Sequence, residues 1–228
     1  MSEPTAPAEY WETQYSENPR RWSGRVNQTL ADVVQGLPAG VALDLGCGEG
    51  GDAVWLAEQG WQVVAVDISA TAISRGAEGA DMRGVGDKIT WVARDLSTWA
   101  SEQTFDLVTA SFFHSTVELP RTAILRRAAD QVRPGGHLLV VSHVIESIED
   151  VPPWAVRHHG TDDNNDPELE RHASILLTPD QEITELALDP AQWDVVLEEV
   201  RGRETIGPDG AETAIVKDGV VLMRRSLT

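Results

Sequence analysis

The sequence predicts an α/β fold with a mostly parallel sheet, helices on both faces and an antiparallel hairpin at the C-terminus. Apolar runs of strand length alternate with segments whose apolar residues recur at helical spacing, which is typical of βαβ units. The first run, Val41–Leu45, is interrupted only by Asp44, and this pattern suits a central strand that is buried on both faces. Near the end of the chain, a turn at 207–210 separates two further apolar runs, as in a hairpin.

Length and composition favour a single domain without a membrane span. The chain has 228 residues, and its 18 basic and 37 acidic side chains give a net charge of −19, which would repel a phosphate backbone. We therefore expect no nucleic-acid partner, and we expect a cytoplasmic monomer or homodimer. One cysteine excludes an internal disulfide, and no apolar run or leader indicates a membrane or secreted protein. We expect a disordered tail at 1–8 and a domain at 9–228, with an N-terminal cap at 9–36 and an insertion at 146–172.

The elements of the first half follow from local signals. Gly60 is a stop for the helix that begins at Asp52, and Ser69 is a candidate N-cap for the next helix. In chain order, the predicted elements are a helix at Thr29–Gln35, a strand at Val41–Leu45, a helix at Asp52–Gln59, a strand at Trp61–Asp67, a helix at Ala70–Ala80, and strands at Ile89–Arg94 and Phe105–Ser111.

The second half contains equally clear boundaries. A helix opens at Pro120, and the glycines of the turn at 133–136 permit a tight reversal into the next strand. Thr178 and Gln181 have capping-box spacing, with a proline at the first helical position. The remaining strands are predicted at His137–Ile145, Trp193–Val200 and Gly219–Arg224.

The glycine turn after the first strand is the main candidate ligand site. Residues 46–51 satisfy the G-x-G-x-x-G pattern, and Asp67 lies 21 residues after Gly46, where a carboxylate would bind ribose hydroxyls. Taken alone, this pattern indicates a dinucleotide enzyme. However, Asp44 would place a second negative charge near the pyrophosphate, so a cationic ligand fits better.

These motifs closely resemble those of class I S-adenosylmethionine-dependent methyltransferases. The matching residues are Asp-Leu-Gly-Cys-Gly-Glu-Gly at 44–50, Asp67, the Asp-Leu pair at 95–96 and the Arg-Pro-Gly-Gly turn at 133–136. The aromatic segment at 10–27 is similar to the N-terminal cap of small methyltransferases of the tellurite-resistance and thiopurine type. The resemblance implies a Rossmann-like sheet of seven strands, and methyl transfer from S-adenosylmethionine to a small-molecule acceptor, namely a thiol, amine, hydroxyl or metalloid oxyanion.

The resemblance also implies roles for individual residues at the cofactor. Asp44 and the Gly46 carbonyl would lie near the cofactor's amino group, Asp67 would bind its ribose, and Trp11, Tyr15 and Trp22 would shield its sulfonium. The complete implied set of cofactor-binding residues is Trp11, Trp22, Asp44, Gly46, Cys47, Gly48, Asp67, Ile68, Asp95, Leu96 and Ser111.

The acceptor side is less determined by the sequence. His114 follows the fourth strand and is the best acid/base candidate, because its ordinary pKa of about 6.5 suits proton transfer. Lining of the acceptor pocket is the favoured role for this histidine, because methyl transfer to a soft nucleophile often needs no base. An oxyanion acceptor would require an arginine, and the candidates are Arg20, Arg21, Arg25 and Arg157. The histidines at 158, 159 and 172 fit no zinc template, so we expect no metal. The alternative functions are a protein that binds S-adenosylmethionine without turnover and a dinucleotide-binding oxidoreductase.

Overall fold

The computed structural model describes residues 6–154, 175–207 and 210–227. Most of the predicted tail and much of the predicted insertion, including Arg157 and the histidines at 158, 159 and 172, lie outside the described residues. The first helix begins at Pro7, two residues before the predicted start of the domain at Glu9.

The order of helices and strands follows the predicted alternation. The described α-helices are α1 (Pro7–Ser16), α2 (Gln28–Val34), α3 (Gly51–Glu58), α4 (Ala70–Met82), α5 (Arg121–Asp130) and α6 (Pro179–Leu186), with short 3₁₀ turns at Gly86–Lys88 and Ile148–Asp150. The strands are β1 (Val41–Leu45), β2 (Gln62–Asp67), β3 (Ile89–Ala93), β4 (Phe105–Ser111), β5 (Val132–Val144), β6 (Trp193–Ile206) and β7 (Thr213–Arg225). As predicted, Ser69 caps α4 by accepting from the Ala72 N–H at 3.1 Å.

The seven strands form one sheet in the order β3-β2-β1-β4-β5-β7-β6. The first five strands pair in parallel, whereas β7 is antiparallel to both β5 and β6. This arrangement confirms the predicted sheet. The strand order reverses between β1 and β4, and ligands of open parallel sheets bind outside the carboxyl ends of the strands at such a point.

Apolar side chains from helices cover both faces of the sheet. On one face, Leu125 and Ala129 of α5 and Leu186 of α6 join the core cluster. On the other face, Leu30 of α2 and Leu56 of α3 pack against the sheet. In the described parts of the chain, no helix has the length and apolar character needed to cross a membrane.

Two boundary predictions were wrong. The sequence 133–136 was predicted as a turn but lies within β5. The pairing between β4 and β5 is irregular there, because its register shifts between Phe105 and Leu107. Arg133 is held at this irregularity by an ion pair with Asp106 at 2.8 Å. The C-terminal hairpin is longer than predicted, because β6 continues to Ile206 and β7 begins at Thr213. These extra residues are largely polar and are stabilised by strand pairing rather than by a continuous apolar run.

Candidate functional site

A cavity of about 1650 Å³ lies beside the carboxyl ends of the central strands. Its lining combines the N-terminal segment, the glycine turn, the loop after β4 and the distal part of the β6–β7 hairpin. The lining residues include Trp11, Tyr15, Arg21, Trp22, Thr29, Gly46, Cys47, Gly48, Glu49, Asp52, Asp67, Ile68, Asp95, Leu96, Ser111, Phe112, Phe113, His114, Ser115, His143 and Arg203. Ligand pockets commonly enclose about 300–1,000 Å³, so this cavity has room for more than one small molecule.

The glycine turn is joined to the end of β2 by Asp67. Its carboxylate accepts from the Gly48 N–H and from the Ser69 N–H, both at 2.9 Å. Gly48 has a φ of +52°, and a Cβ at this position would lie 2.9 Å from the Tyr15 hydroxyl oxygen. A residue with a side chain would therefore be strained and would crowd the cavity, which explains the glycine.

Three carboxylates meet beneath this turn. Asp44 is buried; Thr109 donates to its Oδ1 at 3.1 Å, and its Oδ2 has no hydrogen-bond partner among the described residues. Burial raises the pKa of Asp44 well above its ordinary value, and the negative charges of Asp52 and Asp67 raise it further. Burial also raises the pKa values of Asp52 and Asp67. The group is therefore suited to a ligand that brings positive charge.

The N-terminal cap is held over the glycine turn by Glu49. Its buried carboxylate accepts from the backbone N–H groups of Arg21 and Trp22 at 3.1 and 2.9 Å, and Arg75 donates to it at 3.0 Å. At the other end of the cap, Glu12 accepts from the Ser69 and Thr71 hydroxyls, at 2.7 and 2.5 Å. Both carboxylates are built into hydrogen-bond networks that fix the cap relative to the turn.

Aromatic side chains of the cap extend into the cavity. The Trp22 indole N–H donates to the Tyr15 hydroxyl at 3.0 Å, and the Trp11 N–H donates to Ser115 Oγ at 3.2 Å. The Arg21 guanidinium lies 5.7 Å from the Trp11 ring and 5.2 Å from the Trp22 ring. Burial raises the pKa of Tyr15, so its hydroxyl stays protonated at neutral pH. The cap therefore forms an aromatic wall opposite the glycines.

The loop after β4 places three consecutive residues in the cavity. Phe112 has a φ of +51°, which is unusual for a residue other than glycine, and such strained positions occur often at functional sites. The ring of Phe113 lies against Gly46, where a Cβ would come within 2.5 Å of it. The His114 N–H donates to the Phe112 carbonyl at 2.9 Å, and His114 is half-buried.

The structure brings the predicted site residues together. Ten of the eleven predicted cofactor residues and His114 line the cavity, and the eleventh, Asp44, lies behind the turn with its unpartnered oxygen. Burial, together with the charges of Asp67 and Asp44, raises the pKa of the Cys47 thiol, so a neutral thiol fits a structural role at this turn. Outside the predicted set, the sequence reasoning missed Glu12, Glu49, Asp52 and the hairpin residue Arg203. Glu49 had a usable signal because it lies within the glycine motif, and Asp52 had one because it directly follows that motif.

Comparison with known proteins agrees with this geometry. Residues 42–136, which hold the glycine turn and both strand-end aspartates, match the family model of a methyltransferase domain. Together with the geometry of the site, this match supports a class I methyltransferase. Across almost its whole length, the chain is similar to the solved structure described as "Conversion of a Disulfide Bond into a Thioacetal Group during Echinomycin Biosynthesis". The identity is 26% and the TM-score 0.69, covering 97% of this chain and 94% of that one.

Two plant proteins are relatives by sequence. "Probable thiol methyltransferase 2" and "Thiocyanate methyltransferase 1", both from Arabidopsis thaliana, are each 29% identical over 150 residues, or 64% of this chain. The match spans 66% of the length of each relative, just under two thirds. TehB from Haemophilus influenzae shares the fold, at 16% identity and a TM-score of 0.58, with coverage of 94% of this chain and 66% of that one.

The described residues fit the cofactor of this family, S-adenosylmethionine. That molecule carries an ammonium and a sulfonium and no phosphate, and it would meet the carboxylates of Asp44, Asp52 and Asp67. The unpartnered Asp44 oxygen is the observation that tests the fit, because a buried carboxylate without a counter-charge is costly and a cationic ligand would satisfy it. A dinucleotide would bring two further negative charges to the same place.

Proposed function

We propose that this chain transfers the methyl group of S-adenosylmethionine to the sulfur atom of a small acceptor. The observation that carries the proposal is the set of three carboxylates beneath the glycine turn, of which Asp44 has an unpartnered oxygen in the described structure. When bound, S-adenosylmethionine supplies a methyl group activated by a sulfonium. Sulfur as the atom that accepts the methyl group is supported by the similar proteins, whose names or descriptions refer to a thiol, to thiocyanate and to the conversion of a disulfide.

The residues around the turn would bind and orient the cofactor. Asp44 and the Gly46 carbonyl would accept from its ammonium, Gly48 would allow close approach, and Asp67 would accept from the ribose hydroxyls. At the adenine, the Asp95 carboxylate would accept from the exocyclic amine, with Ile68 and Leu96 beside the ring. Ser111 would lie beneath the amino-acid portion, with Cys47 contributing backbone there.

The chain's contribution to the reaction would be alignment and exclusion of water. Trp11, Tyr15 and Trp22 would cover the sulfonium, and π-density facing it is worth about 0.5–2 kcal/mol. Methyl transfer is an in-line displacement, and well-aligned reactants can gain about 7–11 kcal/mol relative to free solution. No residue needs to form a covalent bond with the acceptor.

A sulfur acceptor makes modest demands on acid/base chemistry. Thiols have pKa values near 8.5, so a usable fraction is already thiolate at neutral pH. An amine or hydroxyl acceptor would need a base near the methyl group, and His114 is the residue positioned for this role. With a sulfur acceptor, we assign His114 to the lining of the acceptor pocket.

The partners follow from the same charge argument. At a net charge of −19, the surface disfavours nucleic acid. We therefore propose a small-molecule acceptor, with no nucleic acid or membrane as partner. We also propose a cytoplasmic location and a monomeric or homodimeric state.

The test is thermal unfolding of the full chain with S-adenosylmethionine, S-adenosylhomocysteine, NAD or buffer alone, followed by acceptor assays. A ligand that binds only the native state stabilises it in proportion to RT ln(1 + [L]/Kd). We expect stabilisation by the first two ligands and none by NAD, and then release of S-adenosylhomocysteine with thiols or thiocyanate. Stabilisation by NAD alone would favour the oxidoreductase. Cofactor binding without turnover of any sulfur, amine or hydroxyl acceptor would leave a protein that only binds S-adenosylmethionine.

A further inference from the structure

A second group of charged side chains lies on the β6–β7 side of the cavity, apart from the glycine turn. Asp218 of β7 is fully buried, and its carboxylate receives Arg203 Nε at 2.7 Å and Arg203 Nη2 at 3.2 Å. The Thr29 hydroxyl donates to the same carboxylate at 2.8 Å, and His143 Nδ1 lies 3.7 Å from it. Three separate elements, α2, β5 and β6, are thus tied to one buried charge.

Arg203 lines the cavity, whereas Asp218 does not. The arginine side chain is 24% exposed and the carboxylate 0% exposed. The pair therefore presents its positive end to the cavity, with the negative end behind it. An anion inside the cavity would lie closer to the guanidinium than to the carboxylate, and the Coulomb interaction with the nearer charge would dominate.

The Arg203 side chain is held between Asp218 and the Phe112 ring. Two nitrogens of its planar fork are held by Asp218, and bidentate contacts of this kind fix orientation as well as distance. Its guanidinium lies 5.7 Å from the Phe112 ring, and that ring stacks on His143 with a centroid distance of 4.1 Å. Phe112 directly follows Ser111, a predicted cofactor residue. The guanidinium is therefore fixed beside the region where the acceptor would meet the cofactor.

Burial by itself would raise the pKa of Asp218, but the nearby His143, the hydrogen bonds from Arg203 and Thr29, and the charge of Arg203 lower it below its ordinary value. The carboxylate is therefore ionised at neutral pH and keeps the guanidinium in place. The cofactor end of the cavity is instead lined or underlain by acidic side chains. Asp44, Asp52 and Asp67 lie at that end, so an anionic acceptor would be favoured beside a fixed positive group on the other side of the cavity.

We propose that Arg203 binds the acceptor as a sulfur anion, a thiolate or a thiocyanate-like ion, and that Asp218 is the positioning residue that aims it. This inference rests on the proposed function, since it names the charge state of the acceptor at the same site. It predicts that the cavity prefers an anionic sulfur compound over a neutral one of the same size.

The test uses the full chain saturated with S-adenosylhomocysteine and two probes of similar size: thiocyanate, which is anionic, and methyl thiocyanate, which is neutral. Binding of each is measured by calorimetry. The main variant is Arg203→Met/Asp218→Asn, because removing both charges avoids leaving one buried charge unpaired. The matched control is Arg133→Met/Asp106→Asn, which removes an arginine–aspartate pair at 2.8 Å that does not line the cavity.

We expect the Arg203→Met/Asp218→Asn variant to bind thiocyanate about 10- to 100-fold more weakly, as expected for loss of a hydrogen bond between charged groups. Methyl thiocyanate should bind this variant and the wild type equally, and the control should retain wild-type affinity for both probes. Equal loss for both probes, or unchanged thiocyanate binding, would overturn the proposal. Absence of thiocyanate binding to the wild-type complex would overturn it as well.

Arg203→Lys keeps the experiment decisive if the double variant does not fold. Lysine retains the charge but cannot reproduce the bidentate fork. We expect the thiocyanate affinity of Arg203→Lys to lie between that of the wild type and that expected for the double variant, with methyl thiocyanate affinity unchanged. Wild-type thiocyanate affinity in Arg203→Lys would overturn the role of the Arg203 guanidinium fork. Failure of S-adenosylhomocysteine to bind the wild type would instead refute the proposed function, so the two failures are distinguishable.

Discussion

The two sides of the cavity treat buried charge in opposite ways. Beneath the glycine turn, Asp44, Asp52 and Asp67 lie together, and no described residue pairs with the Asp44 Oδ2 atom. On the hairpin side, Asp218 is equally buried but is matched by Arg203 and Thr29. The glycine-turn side lacks a positive charge that a cationic cofactor would supply. The hairpin side has a complete ion pair, and the positive member of that pair faces the cavity.

This difference shows where stability and binding are in conflict. A buried carboxylate with like-charged neighbours destabilises the folded chain, whereas a paired one is neutral or stabilising when both partners are present. The carboxylates beneath the glycine turn therefore favour ligand binding but lower the stability of the ligand-free protein. The hairpin side is already satisfied before any ligand binds.

The largest expected effect is at Asp67. Its two oxygens each accept one backbone N–H, and Asp67→Asn would leave either Gly48 or Ser69 without an acceptor while also removing the contact to ribose. We expect cofactor affinity to fall by more than about 100-fold, which combines the loss of charged hydrogen bonds with distortion of the turn. Calorimetry with S-adenosylhomocysteine measures this loss.

The control for this change is Asp130→Asn, an exposed aspartate at the end of α5. It should bind the cofactor like the wild type. Retention of wild-type affinity by Asp67→Asn would mean that the glycine-turn side does not bind the ribose.

Asp44→Asn should separate stability from binding. Burial and the charges of Asp52 and Asp67 raise the pKa of Asp44 and so favour its neutral form, which asparagine imitates while still accepting from Thr109. We expect an unfolding temperature equal to or above that of the wild type, with cofactor affinity lower by about 10- to 100-fold. Parallel unfolding and calorimetric measurements check both parts. A loss of stability with unchanged affinity would assign Asp44 a structural role.

A smaller effect is expected from pH. The cofactor's positive charges favour ionised Asp44, so binding should release a proton wherever the free group is protonated. Cofactor affinity should then rise with pH by at most about tenfold per unit, until Asp44 ionises in the free protein. The empty chain should change in the opposite direction, because a group with a raised pKa loses stability as pH increases.

The measurement is cofactor affinity between about pH 5 and pH 6.5, where the α-amino group stays protonated. Buffers of different ionisation enthalpy report the released proton directly. The variant Asp44→Asn should lose most of this dependence. A dependence that persists in the variant would place the titrating group elsewhere.

The two sides also differ in how far the sequence predicted them. The glycine-turn side is encoded within short stretches, because β1, its turn and the end of β2 are adjacent in the chain, and the spacing of Asp44, Gly46 and Asp67 was sufficient to identify it. The hairpin side is assembled from residues far apart in sequence. Thr29 and Asp218 are 189 residues apart, and they meet only because β7 lies antiparallel to β5.

The missed part of the fold has the same origin. Strand β6 beyond Val200 reads Arg-Gly-Arg-Glu-Thr-Ile, which has low strand propensity apart from its last two residues. Pairing with β7 rather than local preference makes it a strand, and this pairing delivers Arg203 to the cavity. The positive φ of Phe112 could not be predicted from the sequence either, because nothing in this residue type indicates it.

The smallest effect should be at His114, and it tests the choice of acceptor atom. A required general base contributes about 10²- to 10⁴-fold to a rate, whereas a pocket-lining residue contributes far less. Because a thiolate or thiocyanate needs no deprotonation in the reaction, His114→Gln should change kcat with thiocyanate by less than about threefold. The dependence of kcat on pH should have the same shape in His114→Gln as in the wild type. A loss of 100-fold or more in kcat, with KM unchanged, would restore the acid/base role and favour an amine or hydroxyl acceptor over sulfur.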